Sequence, residues 1–371
     1  MEPMKLNPKT ILVIGLFLAT LLAGFYFLRG PIPHIAIAAE TLFKVGPIEV
    51  TNTMITSWIV VAIMVLVVFL ATRRWEMVPR GAQNAVEAVV EAFYNLVINV
   101  AGEKNGRRFF PVVATIFFFV LASNWLSLLP VFNTIGGVQE EEHGFVMEKT
   151  SIGSIDGAYV PFSRPNGGLP SSAPSIDESD ADAHAKYEEA IHDGKVVGEL
   201  LPFLRGPNTD LNTTLALAIV SAIAVETWGI TSLGIVSYGS KFFRPGAFLR
   251  GIARFNPAMV FQGIIDGFVG FLEFISECVR LLSFTARLFG NMFAGEVVIL
   301  MFTFMIPLLI TTFIFYPLEL FVGVIQAFIF AMLTLVFGVM AVAHGEHSAH
   351  EEAHEQEHKE QSVEHLQPSE T

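Results

Sequence analysis

Six stretches of the 371-residue chain are almost purely apolar: 11 to 28, 54 to 72, 109 to 131, 213 to 237, 257 to 306, and 307 to 343. About 20 apolar residues cross a hydrocarbon layer, so each of the first four predicts one membrane-spanning helix. The last two are too long for that. At about 1.5 Å per residue, a helix from Pro257 to Pro307 reaches on the order of 70 Å, against about 30 Å of hydrocarbon. It either breaks into two spans or lies steeply tilted. Asp266, Glu273, Arg280 and Arg287 recur at every seventh position within it, which keeps them on one helical stripe. That stripe must face protein, water or a partner, because lipid does not tolerate it. The pattern predicts an all-α integral membrane protein.

Basic residues in the connections set the orientation. Lys5 and Lys9 precede the first span, Arg73, Arg74, Arg80, Lys104, Arg107 and Arg108 separate the second and third, and Lys241, Arg244, Arg250 and Arg254 follow the fourth. All three groups are expected on the cytoplasmic side, which puts 137 to 210 outside and the C-terminus inside. Ala82 to Val100 reads as an amphipathic surface helix, with Glu87 and Glu91 at i,i+4 spacing. The first apolar run suits a signal peptide, cleaved near Ala36-Ile37-Ala38, as well as an extra helix. No transit-type leader is read, which favours a multi-pass protein of a bacterial plasma membrane. The expected organisation is an N-terminal hydrophobic segment at 1–39, the first membrane helices at 40–136, an insert at 137–210, core helices at 211–343 and a tail at 344–371.

Composition agrees with the membrane reading: 53% of residues are hydrophobic and 15% charged, where a soluble domain carries about 25% charged residues. The net charge of -13 is misleading until it is located. Residues 137 to 210 carry 14 acids against 5 bases, and 344 to 371 carry 8 against 1, which leaves the apolar body at a net +3. No basic patch supports a nucleic-acid partner. One cysteine, Cys278, excludes an intrachain disulfide and argues against a Cys-based metal site. No Gly-rich phosphate loop followed by Lys-Ser/Thr occurs, so nucleotide chemistry and a cofactor are not expected. The insert, rich in Gly, Pro, Ser and Asp from 163 to 184, reads as a flexible extracytoplasmic loop. His350, His354 and His358 share i,i+4 spacing and could ligate a metal, but the apolar-poor tail around them reads as solvated and disordered.

The chemistry concentrates in Ser283 to Glu296. A charge at bilayer depth costs at least about 2.5 kcal/mol, so Arg287 needs a reason, either an internal ion pair or a function. Gly290, Ala294 and Gly295 beside it permit close approach of another helix. Asn291 falls about 40° from Arg287 around the helix and Glu296 about 180° away. In the last helix Glu319 and Gln326 are seven apart and share a face.

The run Arg287-Leu-Phe-Gly-Asn-Met-Phe-Ala-Gly-Glu296 closely resembles the signature of subunit a of rotary F-type ATP synthases. Supporting blocks follow in family order: Thr51-Asn52-Thr53, Pro79-Arg-Gly-Ala-Gln83, Asn124-Trp-Leu-Ser-Leu-Leu-Pro130, Thr209-Asp-Leu-Asn-Thr-Thr214 and Ile325-Gln-Ala-Phe-Ile-Phe330. The resemblance covers about residues 40 to 343 apart from the insert. It implies five family helices, the last two a long tilted hairpin against a ring of c subunits, with the N-terminal helix as an addition. It also implies a non-catalytic stator with two offset proton half-channels, tied to a subunit b peripheral stalk and, indirectly, to the soluble ATPase sector.

By that resemblance Arg287 separates the half-channels, Gln326 packs close to it, and Glu296, Glu319, Asn291, Asn124 and Asp210 belong to the proton path. Glu273 and Arg280 match polar positions of the exit path. Some relatives carry histidine at one of the two acid positions, where this chain has Glu296 and Glu319. Others carry aspartate where this chain has Ser127, which leaves Asn124 as the candidate there. Plainer readings stand beside these: an interfacial Glu319, a helix-helix hydrogen bond for Gln326, an intrahelical charge pair for Glu273 and Arg280, and a helix cap at Asn212. Sodium in place of the proton stays open, since the deciding ligands lie on the ring. The rival class is a self-contained secondary transporter, which would show two repeated halves with matching broken helices; no such repeat is visible.

Overall fold

The computed structural model describes residues 37–73, 81–129, 132–133, 135–139, 144–152, 155–159, 172–173, 192, 196–239, 242, 257–305 and 311–364. The first apolar run, 11 to 28, lies outside them. Five described helices are long and apolar enough to cross a membrane: Asn52–Thr72, Gln83–Ser127, Leu211–Leu233, Pro257–Thr303 and Phe313–Ala343. In chain order, a hairpin of β1 (Thr41–Val45) and β2 (Ile48–Thr51) leads into α1 (Asn52–Thr72) and α2 (Ala82–Ser127). Strands β3 (Ile135–Gln139), β4 (Gly144–Ile152), β5 (Ile155–Tyr159), β6 (Ser172–Ala173) and β7 (Val196–Pro202) follow. Then come α3 (Leu211–Leu233), α4 (Ile235–Gly239), α5 (Pro257–Met305), a π-helical turn at Thr311–Phe315 and α6 (Tyr316–Glu364).

Local chemistry sets several of these boundaries. Thr51 Oγ1 accepts from the Met54 amide at 3.4 Å and caps α1. Gly234, at φ +80°, closes α3 in a left-handed turn, its amide bonding to the Ile230 carbonyl at 2.8 Å. Within α2, Gly102 breaks the helix at φ 74°, ψ 165°, a conformation essentially confined to glycine. The amphipathic helix expected from 82 to 100 ends at that break. The long region after Pro257 is one uninterrupted helix of 49 residues, which removes the alternative of two separate spans.

Two expectations are corrected. Residues 137 to 210 were expected as a loop, but five antiparallel strands run in the order β5-β3-β7-β4-β6, with β3 and β7 registered through Gly136↔Pro202 and Gln139↔Glu199. Val, Ile, Tyr, Phe and Thr in these short runs favour a pleated surface over coil. The stretch 163 to 184 lies, except for β6, outside the described residues. The tail was expected to be disordered, yet α6 continues to Glu364. Ala, Glu, Gln and Lys sustain a helix, and no proline interrupts before Pro368.

The chain divides into two compact units. The described parts of the first come from Met1–Phe69, Phe119–Thr214 and Arg287–Ala327. Its interior is unusually polar: Asn52, Thr53, Thr56, Ser123, Asn124, Arg205, Asn208, Thr209, Asp210 and Gln326 are all buried. The second unit, from Leu70–Phe118, Leu215–Ala286 and Phe328–Thr371, packs on aromatics. Phe109 and Trp228 stack at 4.2 Å, Phe93 and Phe117 at 4.5 Å, and Phe284 lies tilted against Phe330 at 5.1 Å. Trp228 fits because Gly338 faces it, where a Cβ would come within 2.6 Å of the indole. Burial and the Glu226 carboxylate push the Tyr238 hydroxyl above its ordinary range. On the outside, large apolar side chains such as Trp58, Val65, Phe69, Phe268 and Leu282 stay exposed, which is the surface a lipid environment requires.

A side chain at position 102 must adopt a backbone conformation that only glycine takes readily. Gly102→Ala is expected to destabilise the purified protein by about 1–3 kcal/mol, read as a lowered midpoint in detergent unfolding, with helix content retained.

Candidate functional site

In the first unit the polar interior is organised around two helix starts. Asp210 takes an extended backbone conformation just before α3, and its carboxylate turns over the first turn of that helix. Oδ1 accepts from the Asn212 amide at 3.1 Å, and Oδ2 accepts from Thr213 Oγ1 at 3.3 Å and from Thr53 Oγ1 at 3.0 Å. Asp210 therefore caps α3 and fastens it to the first turn of α1. The expected cap at Asn212 is corrected: Asn212 is exposed, and Asp210 has the non-helical backbone a cap requires. Asn52 adds a bond from Nδ2 to the Pro202 carbonyl at 3.0 Å.

Next to this knot, Asn124 on α2 bridges two partners. Its Nδ2 donates to the Gly323 carbonyl at 3.2 Å, and its Oδ1 accepts from Asn208 Nδ2 at 2.7 Å. Trp125 Nε1 donates to the Leu320 carbonyl one turn away. These bonds hold the end of α2 against the start of α6. Between them lies a cavity of about 70 Å³, lined by Asn124, Ser127, Asn133, Asn208, Thr209, Glu296, Tyr316 and Glu319 among others. A water needs about 10–15 Å³ and two or more polar partners, so the cavity has room for a few.

The two acids enter the cavity from α5 and α6. Glu319 lays its carboxylate on Gly295, where a Cβ would fall 2.1 Å from Oε1. Only glycine at 295 admits that approach. Glu296, half-buried, is held by Asn133, whose Nδ2 donates to Oε1, and by Arg205, whose Nη2 stands 3.6 Å from Oε2. On the same helix Arg287, Asn291, Ala294, Val298 and Met301 form an exposed stripe at spacings of four and three. Arg287 and Asn291 thus share a face, while Glu296 turns to the opposite side, as the helical angles require.

The structure brings together Glu296, Glu319 and Asn124, and adds Ser127 to the lining. Gln326 is buried on α6, one heptad beyond Glu319. Asp210 supports the site from below and does not line the cavity. Glu273 and Arg280 fall in the second unit, where Arg280 pairs with Glu277 at 2.8 Å and lies 4.1 Å over the Phe337 ring. Sequence reasoning missed Asn133, Arg205 and Asn208 as neighbours of the acids, whereas Gly295 already reads there as a point of close helix approach. A left-handed φ of 58° at Asn133 marks that residue structurally, but no sequence pattern announced its partner 163 positions away. No group of three metal-binding side chains occurs among the described residues.

Long apolar helices, with two carboxylates at a polar cavity and an arginine on the surface of one helix, define a multi-pass membrane protein. The chain belongs to the ATP synthase A chain family, whose model matches residues 54–338. Its curated relatives include ATP synthase subunit a of Moorella thermoacetica, 28% identical over 304 residues, covering 82% of this chain and 96% of that one. Subunit a of Gloeobacter violaceus is 26% identical over 321 residues, 85% of this chain and 94% of the relative. Subunit a 1 of Pelobacter propionicus is 29% identical over 293 residues, 78% and 87% respectively. Family membership sets aside the secondary-transporter alternative.

Asp210→Ala removes a cap and the bond that ties α3 to Thr53 on α1. It is expected to lower stability by about 1–2 kcal/mol, seen as earlier thermal unfolding, whereas Asp210→Asn, which keeps an accepting oxygen, loses less.

Proposed function

We propose that this chain is the stator subunit of an ATP synthase membrane sector, passing protons between two offset half-channels and the carboxylates of a ring of c subunits. The observation that carries the reading is the division of α5 into two faces. Arg287 occupies an exposed stripe, and Glu296 meets Glu319 at a polar cavity on the other side.

The chemistry follows from those placements. A guanidinium is never deprotonated in a protein, so Arg287 relays no proton but remains a fixed cation. It favours the ionised form of a ring carboxylate drawn up to it and opposes a direct leak between the half-channels. Asn291 lies one turn along on that face. By the family resemblance Gln326, buried on α6, packs close to Arg287 from behind. Behind the stripe, Glu296 and Glu319 with Asn124 form the outer half-channel, and a buried carboxylate pair sharing a proton suits a relay. Asp210 keeps the surrounding helix starts in place. Glu273 and Arg280 lead to the inner side.

Each proton that crosses 100 mV releases about 2.3 kcal/mol, which the ring takes up as rotation. ATP chemistry belongs to the soluble sector, reached indirectly, and subunit b anchors the stator. The setting is a bacterial plasma membrane with the C-terminus in the cytoplasm.

In reconstituted complexes, Arg287→Ala is expected to reduce ATP-driven acidification of vesicles to background. Glu296→Gln is expected to slow it on the order of tenfold, below the ~100-fold or more of a sole acid–base group because Glu319 remains. Pumping by the unaltered complex should persist without sodium and collapse with a protonophore. Undiminished pumping by Arg287→Ala would remove that residue from the mechanism.

A further inference from the structure

The insert joins the membrane body through two short stems, and both stems end on the same carboxylate. Asn133 lies two residues before β3, and Arg205 lies three residues after β7. These are neighbouring antiparallel strands, and the stems are bonded to each other directly, the Asn133 amide donating to the Leu204 carbonyl at 3.1 Å. From that base Asn133 Nδ2 donates to Glu296 Oε1, and Arg205 Nη2 stands 3.6 Å from Glu296 Oε2.

Neither stem residue sits there casually. The Arg205 side chain is 5% exposed, and Glu296 15%. Arg205 Nη1 is further fixed by the Ala38 carbonyl at 2.9 Å. A buried guanidinium beside a carboxylate is retained only when the pairing offsets its desolvation. Asn133 reaches its partner from a left-handed backbone, φ 58°, which asparagine tolerates better than most residues. Asn133 gives Oε1 a hydrogen bond, whereas Oε2 accepts none among the described residues and meets Arg205 only at ion-pair distance, which leaves Oε2 the more open of the two oxygens to a proton.

We infer that Arg205 and Asn133 are positioning residues for proton transfer: the stems of the insert orient the Glu296 carboxylate so that Oε2 is its proton-exchanging oxygen. This rests on the proposed role of Glu296 in the outer half-channel and assigns the insert's base to that channel. The outer strands and their connections are dispensable to this role, because the β3–β7 pairing alone sets the stems' spacing.

The test is a double-mutant cycle on ATP-driven proton flux, normalised to assembled complex. Arg205→Gln should lower flux about fivefold and Glu296→Gln about tenfold, while the double variant stays near tenfold, since residues acting through one another are non-additive. Arg205→Lys, which keeps the charge, should recover most of the flux. Asn133→Gly, which keeps the left-handed backbone but removes the donor, should lower flux in the Glu296 background and do nothing in the Glu296→Gln background. It serves independently if Arg205→Gln fails to assemble. A chain in which a short turn joins Gln139 directly to Glu199 should pump normally.

Additive losses in the double variant, or equal effects of Asn133→Gly in both backgrounds, would reduce the stems to scaffolding and overturn the inference. An unaffected Glu296→Gln would instead overturn the half-channel role on which it rests. Lost pumping in the shortened chain, with the complex assembled, would contradict the assignment to the stems alone.

Discussion

Asp210 places one carboxylate at the meeting point of two helix starts, and the arrangement of the first unit depends on it. Its oxygens take a backbone amide and two hydroxyls, joining the start of α3 to the start of α1. A buried carboxylate with unmet lone pairs would be costly where water is excluded. Once it is satisfied, the neighbouring polar groups can be satisfied in turn: Asn52 reaches Pro202, Asn208 reaches Asn124, and Asn124 reaches Gly323 on α6. That chain of bonds keeps a cavity open between α2, α5 and α6. An apolar interior of the same volume would collapse onto itself and leave no path for a charge.

Two glycines and the helical repeat then sort function by face. Gly295 lets the Glu319 carboxylate lie against α5, and Gly323 lets Asn124 lie against α6, where an added Cβ would come within 3.1 Å of the Asn124 side chain. The periodicity of α5 does the rest, since residues four and seven apart share a surface and residues nine apart do not. Arg287 and Glu296 are near in sequence yet serve opposite sides of one helix. A fixed cation on one side and two carboxyls on the other is the separation that the proposed proton transfer requires.

Much of this was legible beforehand. Hydropathy marked the described spans because lipid imposes a length and an apolar surface on any helix that crosses it. The heptad of charges and the angle between Arg287 and Glu296 followed from 3.6 residues per turn. What could not be read were partners brought in by tertiary folding. Arg205 looked like one base in an acidic insert, with nothing to connect it to a glutamate 91 positions later. Strands β3 and β7 were hidden because sheet pairing is set by distant neighbours more than by local preference. The cap moved from Asn212 to Asp210 because backbone geometry, which composition does not reveal, decides which side chain meets the free amides. The tail forms a helix because its Ala, Glu, Gln and Lys favour one even where few apolar residues are present to pack it.

The central claim, that the Arg287 face of α5 meets the ring while the Glu296 face does not, is tested most directly by cross-linking. In a Cys278→Ser background, single cysteines at Ala294, Val298 and Met301, and at Val297 and Leu300 for contrast, would be paired with cysteines beside the carboxylate of the ring subunit and oxidised in native membranes. The account predicts cross-links at 294, 298 and 301, at the spacing of the exposed stripe, and few at 297 and 300. Cross-links centred on 297 and 300, with the stripe silent, would contradict it.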